Sequence, residues 1–249
     1  TLLVEKSKDR ENIFKTWTSA LPIMVHAMGE TLEDAIVLAY KYKKAIHVCH
    51  VTADQIIPIK KAKSKGLNIT CEVCPHHLFL DKNIIKKIGN LGLMQPPLME
   101  KQDQEKLWAN IDQIDMISTD HAPHTLEEKY DQSSPKFGVP GLETALPLML
   151  SAVDKGLLTL ERLVEMMSTN PRKIFSLPFQ PNTFVEVDLS KKYKISNKGL
   201  FTKCGWTPFK GMQAGGKVVK VVIRGKIVFE NNIFRGNPLG KVIDTFLKV

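Results

Sequence analysis

Short apolar runs alternate with longer amphipathic stretches along the first two-thirds of the chain. Four apolar runs predict β-strands, at residues 21–26, 45–50, 67–77 and 111–117. Three stretches between or after them predict helices, at residues 31–42, 53–65 and 100–112. Short buried strands that alternate with helices of ten or more residues indicate βα units and a parallel sheet. This pattern predicts an α/β fold.

A different pattern begins near Pro178, where the helical periodicity fades. Residues 184–189 alternate between apolar and polar side chains, as a half-buried strand does. Residues 215–234 are typical of β-hairpins that turn at Arg224-Gly225 and at Asn231-Asn232. The C-terminal part is therefore expected to be rich in β-strands.

These two patterns define the predicted domains. Residues 1–178 supply about four or five βα units, whereas a complete barrel of this type has eight. The chain also opens at Thr1 without an initiator methionine. We predict a partial TIM-like (β/α) barrel at residues 1–178, with a β-rich subdomain at residues 179–249. We expect upstream sequence to supply the remaining strands.

Residues that can bind metals or carry protons stand near the ends of the predicted strands. They are His26, His50, Glu72 and Asp120. Parallel barrels carry their chemistry at the C-terminal ends of their strands. One histidine in such a position is more often structural, but four residues on successive units favour a catalytic or metal site. A second interpretation of Asp120 is that it caps a helix beginning near Thr125.

Composition narrows the class of protein. Of the 249 residues, 43% are hydrophobic and 24% are charged, as in an ordinary globular domain. The net charge of +9 comes from lysines spread over helices and loops, which indicates solvated faces. No motif for nucleic-acid binding accompanies this charge, although it could help to attract an anionic substrate. No signal peptide, lipidation motif or long apolar span is present, so we expect a cytoplasmic protein without a membrane partner.

The four cysteines do not form the framework of a secreted, disulfide-rich protein. Cys71 and Cys74 have CxxC spacing on a predicted strand, but no second ligand pair at short spacing completes a zinc knuckle. We interpret all four as reduced thiols, in the core or near the site.

Five stretches of the chain carry specific motifs. They are Pro22-Ile-Met-Val-His-Ala27, Ile46-His-Val-Cys-His-Val51, Thr70-Cys-Glu-Val-Cys-Pro-His-His-Leu-Phe-Leu80, Ser118-Thr-Asp-His-Ala-Pro-His-Thr-Leu-Glu-Glu-Lys129 and Pro140-Gly-Leu-Glu-Thr144. These stretches resemble the dihydroorotase family of the amidohydrolase superfamily. The resemblance covers nearly the whole chain. It is greatest for the animal-type domains that are fused to carbamoyl-phosphate synthetase and aspartate transcarbamoylase, which implies these partners and a homo-oligomer.

The resemblance implies a reaction and a cofactor. The family interconverts N-carbamoyl-L-aspartate and dihydroorotate in pyrimidine synthesis, with two zinc ions bridged by a carboxylated lysine and a hydroxide. By motif, His26 and His50 correspond to imidazole ligands of one zinc ion. Asp120 corresponds to a ligand of the other zinc ion and to the general base and acid. The bridging lysine falls on a strand that would precede Thr1, so this chain does not contain it.

The resemblance also implies residues that contact the substrate. His124 and Gln95 correspond to residues near the substrate carboxylate, and Pro140 and Gly141 to a loop whose backbone holds the ring. Two further residues, Glu72 and Cys49, flank the site in the family pattern. For Cys49 we prefer packing inside the barrel.

The chain departs from the family pattern in three places. Its seven histidines include no His-x-His pair for the first zinc ion. Met28-Gly29 separate the first motif from Glu30, and Gln95 stands where animal relatives have an arginine. A bidentate, charge-assisted contact would be lost with that arginine.

Two classes of function therefore remain open. The first is a metal-dependent cyclic amidase completed by upstream sequence, with a hydantoinase or dihydropyrimidinase as the weaker enzyme alternative. The second is a non-catalytic dihydroorotase-like domain with a structural or assembly role. In either case we expect the 249-residue chain alone to be inactive, because several expected ligands are missing from it.

Overall fold

The computed structural model describes residues 7–242, which fall into two compact units. The first unit comprises residues 7–82 and 96–118, and the second comprises residues 83–95 and 119–242. Within these ranges, every helix is too short or too polar to cross a lipid bilayer.

Ten α-helices and ten strands are assigned among the described residues. The helices are α1 Ser7–Thr16, α2 Glu30–Tyr42, α3 Ile56–Ser64, α4 Pro75–Phe79, α5 Ile85–Ile88, α6 Lys101–Ala109, α7 Leu126–Lys129, α8 Leu142–Asp154, α9 Leu160–Val164 and α10 Asn170–Ile174. The strands are β1 Ile23–Val25, β2 Ile46–Val48, β3 Ile69–Val73, β4 Met116–Ile117, β5 Phe184–Asp188, β6 Tyr193–Lys194, β7 Gln213–Ala214, β8 Lys217–Ile223, β9 Lys226–Glu230 and β10 Ile233–Phe234.

The first unit is built on a parallel sheet with the strand order β1-β2-β3-β4. Its register pairs Val25 with Val48, and Val48 with Cys71, so the first three strands run side by side toward the same edge. All residues of β2 are buried. Strands covered on both faces are characteristic of parallel sheets flanked by helices, which confirms the predicted α/β class.

Helices α2 and α3 each bury one face. The buried positions are Leu32, Ala35 and Ala39 in α2, and Ile56, Ile59 and Ala62 in α3. Spacings of three and four residues place such side chains on one side of a helix. The first turn of the predicted 53–65 helix is a 3₁₀ turn, Ala53–Gln55, stabilised by the Gln55 side chain, which accepts a hydrogen bond from the Thr52 N–H at 2.9 Å.

All four predicted strands are shorter than the apolar runs suggested, and two of the runs also contain other elements. The run 67–77 was expected to be strand throughout, but β3 ends at Val73 and α4 begins at Pro75. Proline suits the first helical turn because the N–H that it lacks would have no partner there. In the run 111–117, residues Ile111–Gln113 form a 3₁₀ turn, and only Met116 and Ile117 belong to β4.

The second unit contains an antiparallel sheet with the order β10-β9-β8-β5. Its two tight turns have positive φ at consecutive residues, 49° and 78° at Arg224 and Gly225, and 49° and 65° at Asn231 and Asn232. Two positive φ values in succession are the feature of type I′ hairpin turns. Both predicted turns and the β-rich C-terminal part are therefore confirmed.

Gly215 marks a close approach of backbone to helix α8. Its N–H donates a hydrogen bond to the Pro147 oxygen at 2.9 Å. A β-carbon at position 215 would lie 2.3 Å from the carbonyl carbon of Leu150 and from the nitrogen of Ser151. Only glycine permits this spacing without movement of one backbone segment.

We predict that Gly215→Ala lowers the free energy of unfolding by about 1–3 kcal/mol or more, the usual cost of overpacking. Gly240→Ala is the matched control, because a β-carbon at position 240 would meet no atom within 4 Å. Urea denaturation of both variants measures the difference. Equal denaturation midpoints for the two variants would contradict the prediction.

Candidate active site

His26 and His50 meet at the edge of the parallel sheet in the first unit. His26 directly follows β1, and His50 lies two residues after β2. Because β1 and β2 are paired in parallel, these positions are neighbours in space. His26 Nδ1 lies 2.6 Å from His50 Nε2, and the ring centroids are 4.7 Å apart. The structure therefore brings these two predicted metal ligands together.

The pair fits a metal ion. The facing nitrogens of the exposed His26 and the buried His50 share one hydrogen bond, which bonds from both nitrogens to a metal ion would replace. His50 Nδ1 is also buried, and it has no hydrogen-bond partner in the described part of the chain. Zinc and related divalent metals bind neutral imidazole through either ring nitrogen. Within the first unit, His26 and His50 are the residues that could hold such an ion at the sheet edge.

The backbone is strained at two of the predicted site residues. His50 has a φ of 37° and Asp120 a φ of 43°, in the left-handed region that residues with a β-carbon seldom occupy. Such a conformation costs about 1–3 kcal/mol and is enriched at functional sites. Each residue closely follows a strand of the parallel sheet, β2 or β4.

Glu72 and Cys49 are buried in the first unit, with only 5% and 2% of their surfaces exposed. Glu72 is the penultimate residue of β3, close to the end of the strand. Its Oε2 atom contacts His47 Nε2 at 3.1 Å, while His47 Nδ1 contacts Thr70 Oγ1 at 2.8 Å. Glu72 thus takes part in a buried network along β2 and β3.

His76 and His77 were not predicted to matter, but both are buried in α4. Possible ligand atoms of Cys74, His76 and His77 lie within 4.8 Å of one another. These three donors come from four consecutive residues, and no fourth donor joins them among the described residues, whereas a structural zinc site uses four. We therefore treat them as polar residues of the core.

Burial keeps these two imidazoles neutral. It lowers the pKa of His77 to about 4 and places the pKa of His76 well below its usual value, because a charged ring would lose its hydration. His77 Nε2 lies 3.1 Å from the Pro96 oxygen, so the proton belongs on Nε2 and the lone pair on Nδ1.

In the second unit, Asp120 and His121 begin the segment that leads to α7. His121 Nδ1 accepts hydrogen bonds from the N–H groups of Gly141 at 3.0 Å and Leu142 at 3.3 Å. His121 thus supports the backbone after Pro140. Gly141 belongs to the loop whose backbone is expected to hold the substrate ring, and its N–H is already engaged by this contact.

His124 stands just before α7, which begins with a capping box. Thr125 Oγ1 accepts from the Glu128 N–H at 3.2 Å, and Glu128 Oε2 accepts from the Thr125 N–H at 2.8 Å. Thr125 therefore caps this helix, and the alternative role of Asp120 as its cap is wrong. His124 Nδ1 lies 3.4 Å from Glu128 Oε2, and the His124 oxygen accepts from Trp206 Nε1 at 2.8 Å.

The remaining predicted substrate residues also lie in the second unit. Gln95 is exposed, whereas Pro140 and Gly141 are buried. Two residues before Pro140, the backbone at Gly138 passes close to Ala122, since a β-carbon on Gly138 would lie 2.5 Å from the β-carbon of Ala122. Nothing in the sequence pattern marks Lys129, the last residue of α7, yet it is fully buried beside this segment.

We predict that acid destabilises the protein through His77. Its pKa is about 4 in the folded protein, against an ordinary value of 6.5 in the unfolded chain, so the unfolded chain binds the proton first. The contribution of the neutral ring is fully present above pH 6.5, and about 3 kcal/mol is lost as the pH falls to 4. His77→Gln keeps an N–H for the Pro96 oxygen but does not titrate. As the pH falls from 7 to 4, its free energy of unfolding should therefore decrease by about 3 kcal/mol less than that of the unsubstituted protein. Chemical denaturation of both proteins at pH 7, 5.5 and 4 measures this, and parallel pH profiles would refute it.

The sequence is similar to those of known proteins. The chain is 49% identical to the multifunctional protein pyr1-3 of Dictyostelium discoideum over 228 residues, which cover 89% of this chain and 10% of that protein. It is 40% identical to a dihydroorotase of Pyrococcus furiosus, over 85% of this chain and 51% of that enzyme. The chain therefore spans about half or less of these relatives. No protein-family model matches it.

Solved structures give the same fold. The inactive dihydroorotase-like domain of a CAD-like multifunctional protein from Chaetomium thermophilum has a TM-score of 0.79 and 30% identity, over 96% of this chain and 67% of that domain. An L-hydantoinase (dihydropyrimidinase) from Arthrobacter aurescens also has a TM-score of 0.79 and 30% identity, over 83% of this chain and 49% of the enzyme.

Proposed function

Because the chain belongs to the dihydroorotase family of the amidohydrolase superfamily, we propose that it forms part of a dihydroorotase. This enzyme would interconvert N-carbamoyl-L-aspartate and dihydroorotate. The observation that carries the proposal is the 2.6 Å contact between His26 Nδ1 and His50 Nε2, which places two imidazole rings side by side at the edge of a parallel sheet. The hydantoinase alternative is weaker, because a sequence relative named dihydroorotase is 40% identical while the hydantoinase is 30% identical.

The cofactor of this site is proposed to be zinc. His26 and His50 would hold one ion, and Asp120 would contribute to a second, with a carboxylated lysine outside these 249 residues as the bridge. Bound metal lowers the pKa of a water molecule and polarises an amide carbonyl.

The residues of this chain then have distinct roles. The carboxylate of Asp120 accepts a proton from the attacking water and delivers it to the ring nitrogen that leaves. His124, whose backbone is fixed by the bond from Trp206, contacts the substrate carboxylate. Gln95 offers a neutral amide N–H to the same group, and its exposure leaves that N–H accessible to a ligand.

The larger organisation follows from the same family. We infer that residues 1–178 belong to the (β/α) barrel and residues 179–249 to a flanking β-rich subdomain. We also infer a cytoplasmic homo-oligomer, fused to or associated with carbamoyl-phosphate synthetase and aspartate transcarbamoylase. The match to a multifunctional protein from Dictyostelium supports the fusion.

A second candidate is a non-catalytic dihydroorotase-like domain. It is favoured by the similarity to the Chaetomium domain, whose name describes it as inactive. The retained His26, His50 and Asp120 favour the enzyme. Turnover at background level by the full-length protein loaded with zinc would favour the second candidate.

We predict that Asp120→Asn in the full-length protein lowers the steady-state rate in both directions by about a hundredfold or more, because the proton acceptor is lost. Asparagine has nearly the same size and tolerates the positive φ of 43°, so folding should be unaffected. Glu127→Gln is the matched control, since this neighbouring carboxylate is exposed. Metal content is measured in parallel, and near-normal rates for Asp120→Asn would exclude the proposed role.

A further inference from the structure

Lys129 is a buried cation held by backbone oxygens. Its residue surface is 0% exposed. Its Nζ atom donates hydrogen bonds to the oxygens of Leu93 at 2.8 Å, Lys136 at 2.9 Å and Gly138 at 3.0 Å. An ammonium group has three N–H donors, so these three carbonyl groups use all of them.

The groups around Lys129 offset part of the cost of burying its charge. Burial lowers the pKa of Lys129 to about 8, because the ammonium group is removed from water. The three carbonyl oxygens and the face of Trp206, whose centroid is 5.7 Å from Nζ, offset part of that cost. Buried polar groups whose hydrogen bonds are all satisfied hold their partners rigidly. We therefore expect Lys129 to fix the backbone of its three acceptors.

The three acceptors lie close in sequence to the proposed substrate residues. Leu93 is two residues before Gln95, and Gly138 is two residues before Pro140. The Gly138 N–H also donates to the Leu93 oxygen at 3.0 Å, so the two segments are joined directly. Lys129 therefore binds both segments at the point where they meet.

Further bonds connect this point to the segment that carries Asp120 and His124. The Ala122 N–H donates to the Val139 oxygen at 3.1 Å, and the Gly141 N–H donates to His121 Nδ1 at 3.0 Å. Trp206, which Lys129 faces, donates to the His124 oxygen. A continuous set of contacts thus runs from the ammonium group to three segments of the second unit.

We propose that Lys129 is a positioning residue for substrate binding, whose ammonium group fixes the backbone around Gln95 and around Pro140-Gly141. The inference rests on the proposed function, because it assumes that these segments contact the substrate. Lys129 itself does not touch the reacting atoms. Its loss should therefore weaken substrate binding more than it slows the chemical step.

The test compares Lys129→Met with Lys210→Met in the full-length protein. Methionine removes all three donors but keeps a long, unbranched side chain. Lys210 is an exposed lysine of the same unit. Lys129→Met should raise KM by about tenfold or more, as expected for buried carbonyl groups left without donors, with a much smaller change in kcat. Lys210→Met should change neither parameter.

A second measurement does not depend on activity. Trypsin cleavage after Lys136 and after Lys203, both exposed, is followed by mass spectrometry. Lys129→Met should accelerate cleavage after Lys136 by about tenfold if the segment is released, since local opening is what limits cleavage there. Cleavage after Lys203 should stay unchanged.

The outcomes separate this inference from the proposed function. An unchanged KM, unchanged cleavage after Lys136, or equal acceleration at both lysines would overturn the role of Lys129. If the unsubstituted protein shows no turnover, the proposed function fails. The trypsin measurement then decides alone, and selective cleavage after Lys136 supports the anchoring role.

Discussion

The parallel register of β1, β2 and β3 is the constraint on which the candidate metal site depends. Parallel strands in register end at a common edge, so residues just past neighbouring strands must be close. Val25 pairs with Val48, His26 follows Val25 directly, and His50 lies two residues after Val48. Because side chains alternate along a strand, a slip of one residue would turn the side chains of one strand to the opposite face and separate the two imidazoles. The apolar residues that fix the register therefore also fix the donor geometry.

The second unit positions its site residues differently, through polar contacts to irregular backbone. His121 Nδ1 accepts hydrogen bonds from the N–H groups of Gly141 and Leu142, and Lys129 Nζ donates to three carbonyl oxygens. Loops lack the repeated hydrogen bonds of a sheet, so each of their buried polar groups needs a particular partner. The positive φ values of His50 and Asp120 show that backbone strain is tolerated just after strands β2 and β4.

The periodic parts of the fold could be predicted from sequence, whereas the polar interior could not. Helix α2 and the turns at Arg224 and Asn231 follow from apolar spacing and from turn residues, which act locally. That His26 and His50 lie close together followed from the alternation of strands and helices, which predicts neighbouring parallel strands. The buried positions of Lys129 and His77 depend on contacts with distant backbone, at Leu93 and Pro96, and periodicity carries no information about such contacts. An apolar run also cannot distinguish the end of β3 from the start of α4, since both are buried.

The same division explains why an enzyme and an inactive relative can share this fold. The register of the sheet depends on apolar residues, and the loops of the second unit depend on bonds to His121, Lys129 and Trp206. None of these supporting contacts is made by the side chains of His26, His50 or Asp120. Similarity to the Chaetomium domain therefore applies first to the supporting framework. The proposal of activity rests instead on three side chains near the ends of strands, those of His26, His50 and Asp120.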